Sequence, residues 1–142
     1  LSVTCFFKKM INSKIIKIAS YTDNVGLTNK FTHKSSIKNK LCGDLIRAEF
    51  IVGNSKIKSM RYETEACILC EASASLFSKK VKDNKIQDLI KEINKLKKIK
   101  YNNYKFPKKF NEFNQLIDKK NFSRLNCVIL PMDAFLKAFK VY

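Results

Sequence analysis

The sequence predicts a single domain that combines a β-hairpin with several amphipathic helices. Apolar and polar residues alternate over 45–52, which is typical of a half-buried strand, while later segments repeat apolar residues at helical spacing. The length of 142 residues suits one hydrophobic core and is too short for two. Because 45% of the residues are hydrophobic and 11 are Phe, we do not expect disorder. No apolar run approaches the roughly 20 residues that cross a bilayer, so no membrane partner is expected.

The clearest strand covers 45–52, with every second side chain facing the core. Gly53-Asn54 is the predicted two-residue turn, and 55–65 is the return strand. The alternation breaks between Ile57 and Met60, which predicts a bulge there. A short polar segment over 30–39 is the predicted edge strand.

Periodic apolar residues predict five helices, over 11–21, 70–82, 85–97 and 110–117, and from near Pro131 towards the C-terminus. In the second of these, the face made by Cys70, Ala74, Phe77 and Val81 is expected to be buried. Asp83 or Asn84 is the predicted cap of the third helix, because their side chains accept backbone N–H bonds.

The predicted hairpin brings two cysteines together. If Val52 and Ser55 flank the turn, position 42 lies across from position 65, and Cys42 and Cys67 meet at the open end of the hairpin. A bulge changes this register by one residue without separating them.

The net charge of +17 comes from 29 basic and 12 acidic residues, and nearly all of the basic ones are Lys. A basic surface is typical of nucleic-acid binding, but phosphate recognition usually uses Arg, and only Arg47, Arg61 and Arg124 are present. We therefore do not expect nucleic acid as the partner. Residues 41–78 hold four basic and five acidic side chains, so this nearly neutral segment is the better place to look for chemistry.

Five cysteines, an odd number, are spread along a chain with no secretion signal, which argues against a disulfide framework and predicts reduced thiols in the cytoplasm. Met10 is a candidate natural start, so we expect residues 1–9 to be an N-terminal extension and 10–142 to be the domain. Cys5 is then a bystander.

Three cysteines and one aspartate stand at the ends of predicted elements: Cys42, Asp44, Cys67 and Cys127. Cys67 and Cys127 are expected near helix N-termini, where unpaired N–H groups favour the thiolate. Three sulfurs and one carboxylate oxygen complete a tetrahedral site for zinc or ferrous iron, or ligate a two-iron cluster. Spacing alone is weak support, because scattered cysteines are more often buried small hydrophobic residues.

Three ordered motifs resemble the U-type iron–sulfur cluster scaffold family, which comprises IscU, SufU and the N-terminal domain of NifU. Residues 39–44, Asn-Lys-Leu-Cys-Gly-Asp, are similar to the family's N-x-x-C-G-D. Residues 67–75 are similar to C-x-x-x-x-A-S-[AS]-S, and residues 124–130 to the R-x-x-C-x-x-L of the SufU branch. The resemblance runs from Met10 to the C-terminus.

The resemblance implies an α+β fold in which a small antiparallel sheet of about three strands packs against several helices, as in SufE and IscU. It implies a scaffold that accepts sulfur from a PLP-dependent cysteine desulfurase, holds iron or a transient 2Fe-2S cluster, and serves a downstream cluster-accepting protein. The implied ligands are Cys42, Asp44, Cys67 and Cys127, with Cys127 as the candidate sulfur acceptor. Such a chain is a scaffold or carrier and, at most, a sulfurtransferase acting with the desulfurase.

The resemblance is closest to the SufU branch. Position 126 is Asn where IscU has His, residues 119–123 lack the Pro-rich chaperone motif, and the segment between Cys67 and Cys127 is longer than in IscU. A zinc-dependent sulfur carrier of the SufU type is therefore an alternative. The alternative of a different class is a basic nucleic-acid-binding module whose cysteines hold structural zinc.

Two further residues have chemical potential. Cys70 makes a C-x-x-C pair with Cys67, which is compatible with a redox pair or a spare ligand, but its helical face favours a buried packing thiol. His33, the only histidine, is interpreted as a surface or structural residue of the edge strand.

Overall fold

The computed structural model describes residues 13–99 and 105–142. Among them, the α-helices and strands in chain order are α1 (Ser13–Ala19), β1 (His33–Lys38), β2 (Leu45–Gly53), β3 (Lys56–Glu65), α2 (Ile68–Lys80), α3 (Ile86–Leu96) and α4 (Leu125–Ala138), with 3₁₀ helices at Lys108–Gln115 and Phe122–Arg124. The expectations for Cys5, Met10, the 1–9 extension and the start of the first helix lie outside the described residues.

The sheet is antiparallel with the order β1-β2-β3, so the edge strand and the hairpin are confirmed. Ile46, Ala48 and Phe50 of β2 are buried on the face that packs against the helices, as the alternation predicts. No helix in the described part of the chain is long and apolar enough to cross a bilayer.

The hairpin turn differs from the prediction by one residue. Gly53 pairs with Lys56, so the turn is Asn54-Ser55, and both turn residues have positive φ, 55° and 63°. Two successive left-handed residues twist the chain in the sense that paired strands require, and Asn tolerates that conformation. The predicted bulge is confirmed, because the register shifts beside Ile51 and leaves one extra residue in β3.

The corrected turn and the bulge together move the register. Leu45 pairs with Glu65, so the prediction that position 42 lies across from position 65 is wrong. Residues before Leu45 have left the hairpin ladder and form a separate loop.

The core lies between the sheet and the two longest helices, α2 and α4. The Phe77 ring of α2 contacts Phe135 of α4, with centroids 6.0 Å apart, and Phe135 contacts Phe50 of β2 at 5.5 Å. Small residues of α2 allow close approach to α4, where the Ser73 hydroxyl donates a hydrogen bond to the Val128 carbonyl.

Helix α2 begins at Ile68, with Cys67 as its N-cap, two residues before the predicted start. The predicted buried face of Cys70, Ala74, Phe77 and Val81 is confirmed. Only Ala66 and Cys67 separate the end of β3 from the start of α2.

The prediction that Asp83 or Asn84 caps the next helix is wrong, since Lys85 is the N-cap of α3. The backbone N–H of Asp83 donates to the Ile57 carbonyl, and the Asn84 carbonyl accepts the Ile57 N–H. Both residues are used to join the inter-helix turn to β3, which is a tertiary contact that local pattern does not reveal.

Helix α4 begins at Leu125 and not near Pro131, which lies inside it. Pro131 has no N–H for the carbonyl four residues earlier, but the helix is held by burial of most of its residues. The predicted helix over 110–117 is instead the 3₁₀ helix Lys108–Gln115.

Candidate metal centre

The candidate centre lies at the open end of the hairpin, where three chain segments meet. Asp44 immediately precedes β2, and Cys42 lies in the loop before it. Cys67 is the N-cap of α2, directly after β3, and Cys127 is the third residue of α4. The prediction that Cys67 and Cys127 lie near helix N-termini is confirmed.

The loop that carries Cys42 is folded around Asn39. The Asn39 side-chain oxygen accepts the Leu41 N–H at 2.9 Å, and its carbonyl accepts the Gly43 N–H at 2.7 Å. Gly43 has φ +79°, a conformation that glycine adopts without the steric cost of a side chain. The bend at Gly43 turns Cys42 and Asp44 towards the same space.

Three ligand atoms converge in this space. The sulfur of Cys42, a carboxylate oxygen of Asp44 and the sulfur of Cys127 all lie within 4.8 Å of one another. The Cys42 and Cys127 sulfurs are 3.8 Å apart.

Cys67 reaches the centre through Asp44. Its Sγ lies 3.2 Å from Oδ2 of Asp44, and its backbone N–H donates to Oδ1 of the same carboxylate, also at 3.2 Å. The structure thus brings all four residues named from the sequence to one end of the molecule, although Cys42 contacts Cys127 rather than Cys67.

Burial differs across the centre. The Asp44 and Cys127 side chains are buried, Cys67 is half-buried, and Cys42 is exposed. Leu41, next to Cys42, is 89% exposed. The centre is therefore closed on the helix side and open on the side of the loop.

The thiols of Cys67 and Cys127 differ in pKa. The hydrogen bond from the Cys127 thiol lowers the pKa of Cys67 to about 7, with burial opposing and the Cys70 N–H and the Arg124 guanidinium assisting. The same bond, followed by burial, raises the pKa of Cys127. Of the two thiols, Cys67 therefore ionises at the lower pH.

Arg124 is a site residue to which the sequence analysis assigned no role. It is the N-cap of α4, three residues before Cys127, which directs it to the same side of the helix. Burial lowers the pKa of its guanidinium, but the hydrogen bond to Cys67 and the thiolate charges outweigh this and raise it. The R-x-x-C spacing was the available signal.

Cys70 and His33 lie outside the three-residue ligand group. Cys70 is buried with no exposed surface, as predicted, and burial raises its pKa. The His33 ring stacks on Phe139 with centroids 4.4 Å apart, which confirms a structural role.

A family comparison decides the classification. The sequence model of the NifU-like N terminal domain matches residues 10–122. The chain belongs to the NifU-like N-terminal domain family. The matched range includes Cys42, Asp44 and Cys67 and ends before Cys127.

Relatives of this NifU-like chain cover nearly its whole length. The iron–sulfur cluster assembly scaffold protein IscU of Thermotoga maritima is 25% identical over 135 residues, which span 94% of this chain and 95% of that protein. The crystal structure of a NifU-like N-terminal protein from Brucella abortus superposes with a TM-score of 0.82 at 18% identity, covering 95% of each chain.

A second solved structure belongs to a putative iron–sulfur cluster assembly scaffold of the SUF system, FiSufU from Fervidobacterium islandicum AW-1. Its TM-score is 0.76 at 19% identity, covering 91% of this chain and 96% of that one. These likenesses confirm the predicted α+β fold of a three-stranded antiparallel sheet packed against helices. The resemblance stated from the motifs is confirmed.

Proposed function

We propose that this protein is a scaffold for iron–sulfur cluster assembly, with Cys42, Asp44, Cys67 and Cys127 as the ligands of iron or of a transient 2Fe-2S cluster. The observation that carries the proposal is the convergence of Cys42, Asp44 and Cys127 within 4.8 Å from segments far apart in the chain. Family membership and a relative named as a scaffold support it.

The donor set suits a cargo that must leave again. Three thiolates bind iron firmly, whereas a carboxylate in the fourth position is a weaker ligand for an iron–sulfur cluster than a fourth thiolate. The exposed side of the centre, at Cys42, provides the route for cargo. A downstream cluster-accepting protein would take the cluster there.

Sulfur would come from a PLP-dependent cysteine desulfurase, and PLP belongs to that partner. Cys127 is the proposed sulfur acceptor. The Cys127 sulfur attacks the terminal sulfur of the desulfurase persulfide, and the Cys127 proton passes to the desulfurase sulfur that leaves, giving a Cys127 persulfide and a desulfurase thiol. The cytoplasm, where thiols remain reduced, is the proposed compartment.

A zinc-dependent sulfur carrier is the second candidate, because three cysteine sulfurs and one carboxylate oxygen also match zinc. In that case the same four residues would hold zinc, which would orient them and keep the thiols deprotonated. The partner would again be the desulfurase.

Anaerobic reconstitution with ferrous iron and sulfide tests the proposal. The wild-type protein should develop the visible absorption of an iron–sulfur cluster, and Cys42→Ala and Cys127→Ala should lose it, while Cys5→Ala retains it. Stable zinc without a chromophore, together with stimulation of a desulfurase, would favour the carrier.

Nucleic-acid binding by this basic protein is the result that would contradict the proposal. If all three of Cys42, Cys67 and Cys127 can be replaced without loss of a tight, salt-sensitive affinity for RNA or DNA, and no chromophore forms in the wild type, both sulfur-based proposals are wrong.

A further inference from the structure

The proposed scaffold does not use Cys70, although Cys70 lies beside the centre. Cys67 and Cys70 form the only C-x-x-C in the sequence, and they occupy the N-cap and third residue of α2. Cys67 is half-buried at the centre, and Cys70 has no exposed surface.

Cys67 and Cys70 are spaced for a bond to each other in the first turn of α2. The Glu71 N–H donates to the Cys67 carbonyl at 3.1 Å, so Cys67 begins the helical turn. Cα atoms three residues apart in such a turn are about 5 Å apart, within the separation of about 4.4–6.8 Å that disulfides span. Cys67 is the extended cap residue, with φ −68° and ψ 163°, so its side chain can rotate without disturbing the helix.

Conversion of a persulfide sulfur to sulfide requires two electrons. Sulfur delivered as a persulfide is two electrons more oxidised than the sulfide that joins iron in a cluster. A dithiol that closes to a disulfide supplies two electrons. Cys67 with Cys70 is such a dithiol, and it lies next to the proposed sulfur acceptor because the Cys67 and Cys127 sulfurs both lie near the Asp44 carboxylate.

We propose that Cys70 is a resolving thiol that releases sulfide from a persulfide on Cys67, an inference that rests on the proposed sulfur-accepting function. The Cys67 sulfur takes the terminal sulfur from the Cys127 persulfide, and the Cys67 proton passes to the Cys127 sulfur, which returns to a thiol. The Cys70 sulfur then attacks the inner sulfur of the Cys67 persulfide. The Cys67–Cys70 bond forms, the inner-to-terminal sulfur bond breaks, and the Cys70 proton leaves with the terminal sulfur as hydrogen sulfide.

The pair is reset by thiol–disulfide exchange with an external dithiol, which becomes the disulfide as Cys67 and Cys70 return to thiols. Burial of Cys70 suits this role. Its sulfur cannot meet a desulfurase or another protein in solution, so it reacts only with the neighbouring residue.

The experiment uses the full chain, freed of metal and reduced, then treated anaerobically with sodium tetrasulfide without added thiol. Sulfide release is measured after removal of the excess polysulfide, and disulfides and persulfides are located by peptide mass spectrometry. We expect sulfide release together with a Cys67–Cys70 disulfide.

In Cys70→Ala, sulfide release should be roughly 100-fold slower and the persulfide should persist, because the neighbouring thiol has lost its intramolecular advantage. Cys70→Val, which fills the same space, should release sulfide as slowly as Cys70→Ala. Cys5→Ala should release sulfide at the wild-type rate. Circular dichroism verifies that each variant is folded.

Three outcomes would overturn the inference. A stable wild-type persulfide on Cys67 or Cys127 without a Cys67–Cys70 disulfide would refute the role of Cys70 and leave the proposed function intact. A disulfide between Cys42 and Cys127, whose sulfurs are 3.8 Å apart, would assign the resolving role elsewhere. If no cysteine of the wild-type protein accepts sulfur, the proposed function itself is contradicted.

Discussion

The two halves of the candidate centre are built differently. Cys67 and Cys127 stand at the N-termini of α2 and α4, whose positions are fixed by an aromatic core. Cys42 stands in a loop that is held by hydrogen bonds to Asn39 and a left-handed Gly43, and it is exposed. Many buried contacts hold the helix half, whereas a few local hydrogen bonds hold the loop half.

The difference separates two requirements of the proposed scaffold. In the helix half, burial and hydrogen bonding shift the pKa values of Cys67 and Cys127. The loop half gives access, because the exposed Cys42 and Leu41 lie on that side. Substitutions in the two halves should therefore fail in different ways.

The largest expected effect is in the core beneath the helix half. Phe77→Ala removes a fully buried ring that contacts Phe135 and Phe110, so the free energy of unfolding should fall by about 3–5 kcal/mol. Chemical denaturation measures it. Leu41→Ala, at an 89% exposed position of the loop half, is the control and should change stability little. Equal losses of stability in Phe77→Ala and Leu41→Ala would contradict the distinction between the helix half and the loop half.

Asp44 joins the halves, and two substitutions separate its contributions. Asp44→Ala leaves the part-buried Cys67 N–H without its charged acceptor and should cost about 1–3 kcal/mol of stability. Asp44→Asn retains an acceptor and should be closer to wild type in denaturation, yet it should lose iron affinity as the negative charge is removed. If Asp44→Asn binds iron as the wild type does, the carboxylate is not a ligand.

The loop half is tested at Gly43. An added Cβ meets no atom within 4 Å, so the cost of Gly43→Ala is the backbone strain at φ +79° alone, about 1–2 kcal/mol. Gly43→Asn, a residue that tolerates this conformation, should recover part of the loss. Thermal unfolding measures both, and an unchanged midpoint in Gly43→Ala would show that the loop bends without left-handed backbone.

The contrast between the halves also explains which features the sequence predicted. Short-range patterns predicted the strand faces and the buried face of α2, because alternation and helical spacing are local signals. The fold itself could be anticipated from the motifs, which are specific to a family.

Features that depend on tertiary contacts were not predictable. The turn at Asn54-Ser55 differs from the expected one because Gly53 remains paired in the ladder. Helix α4 passes through Pro131 because burial outweighs one missing hydrogen bond. Cys42 contacts Cys127 rather than Cys67 because α4, distant in sequence, packs beside the loop.

The smallest expected effect is a shift in thiol ionisation within the helix half. In the metal-free protein, the rate of Cys67 alkylation by iodoacetamide should rise with a midpoint near pH 7, because the pKa of Cys67 is lowered to about 7 and only the thiolate reacts. Below that pH the thiol is protonated and the reaction slows. Cys127→Ala removes the hydrogen-bond donor and should move the midpoint upward. An unchanged midpoint would show that Cys127 does not stabilise the Cys67 thiolate.

The central claim is that four side chains from both halves bind one iron centre. X-ray absorption at the iron edge of the anaerobic ferrous-loaded protein reports the ligand atoms directly. The account predicts a shell of three sulfurs and one oxygen, with one sulfur lost in Cys42→Ala. A shell containing only oxygen or nitrogen, unaltered when Cys42, Cys67 or Cys127 is replaced, would contradict it.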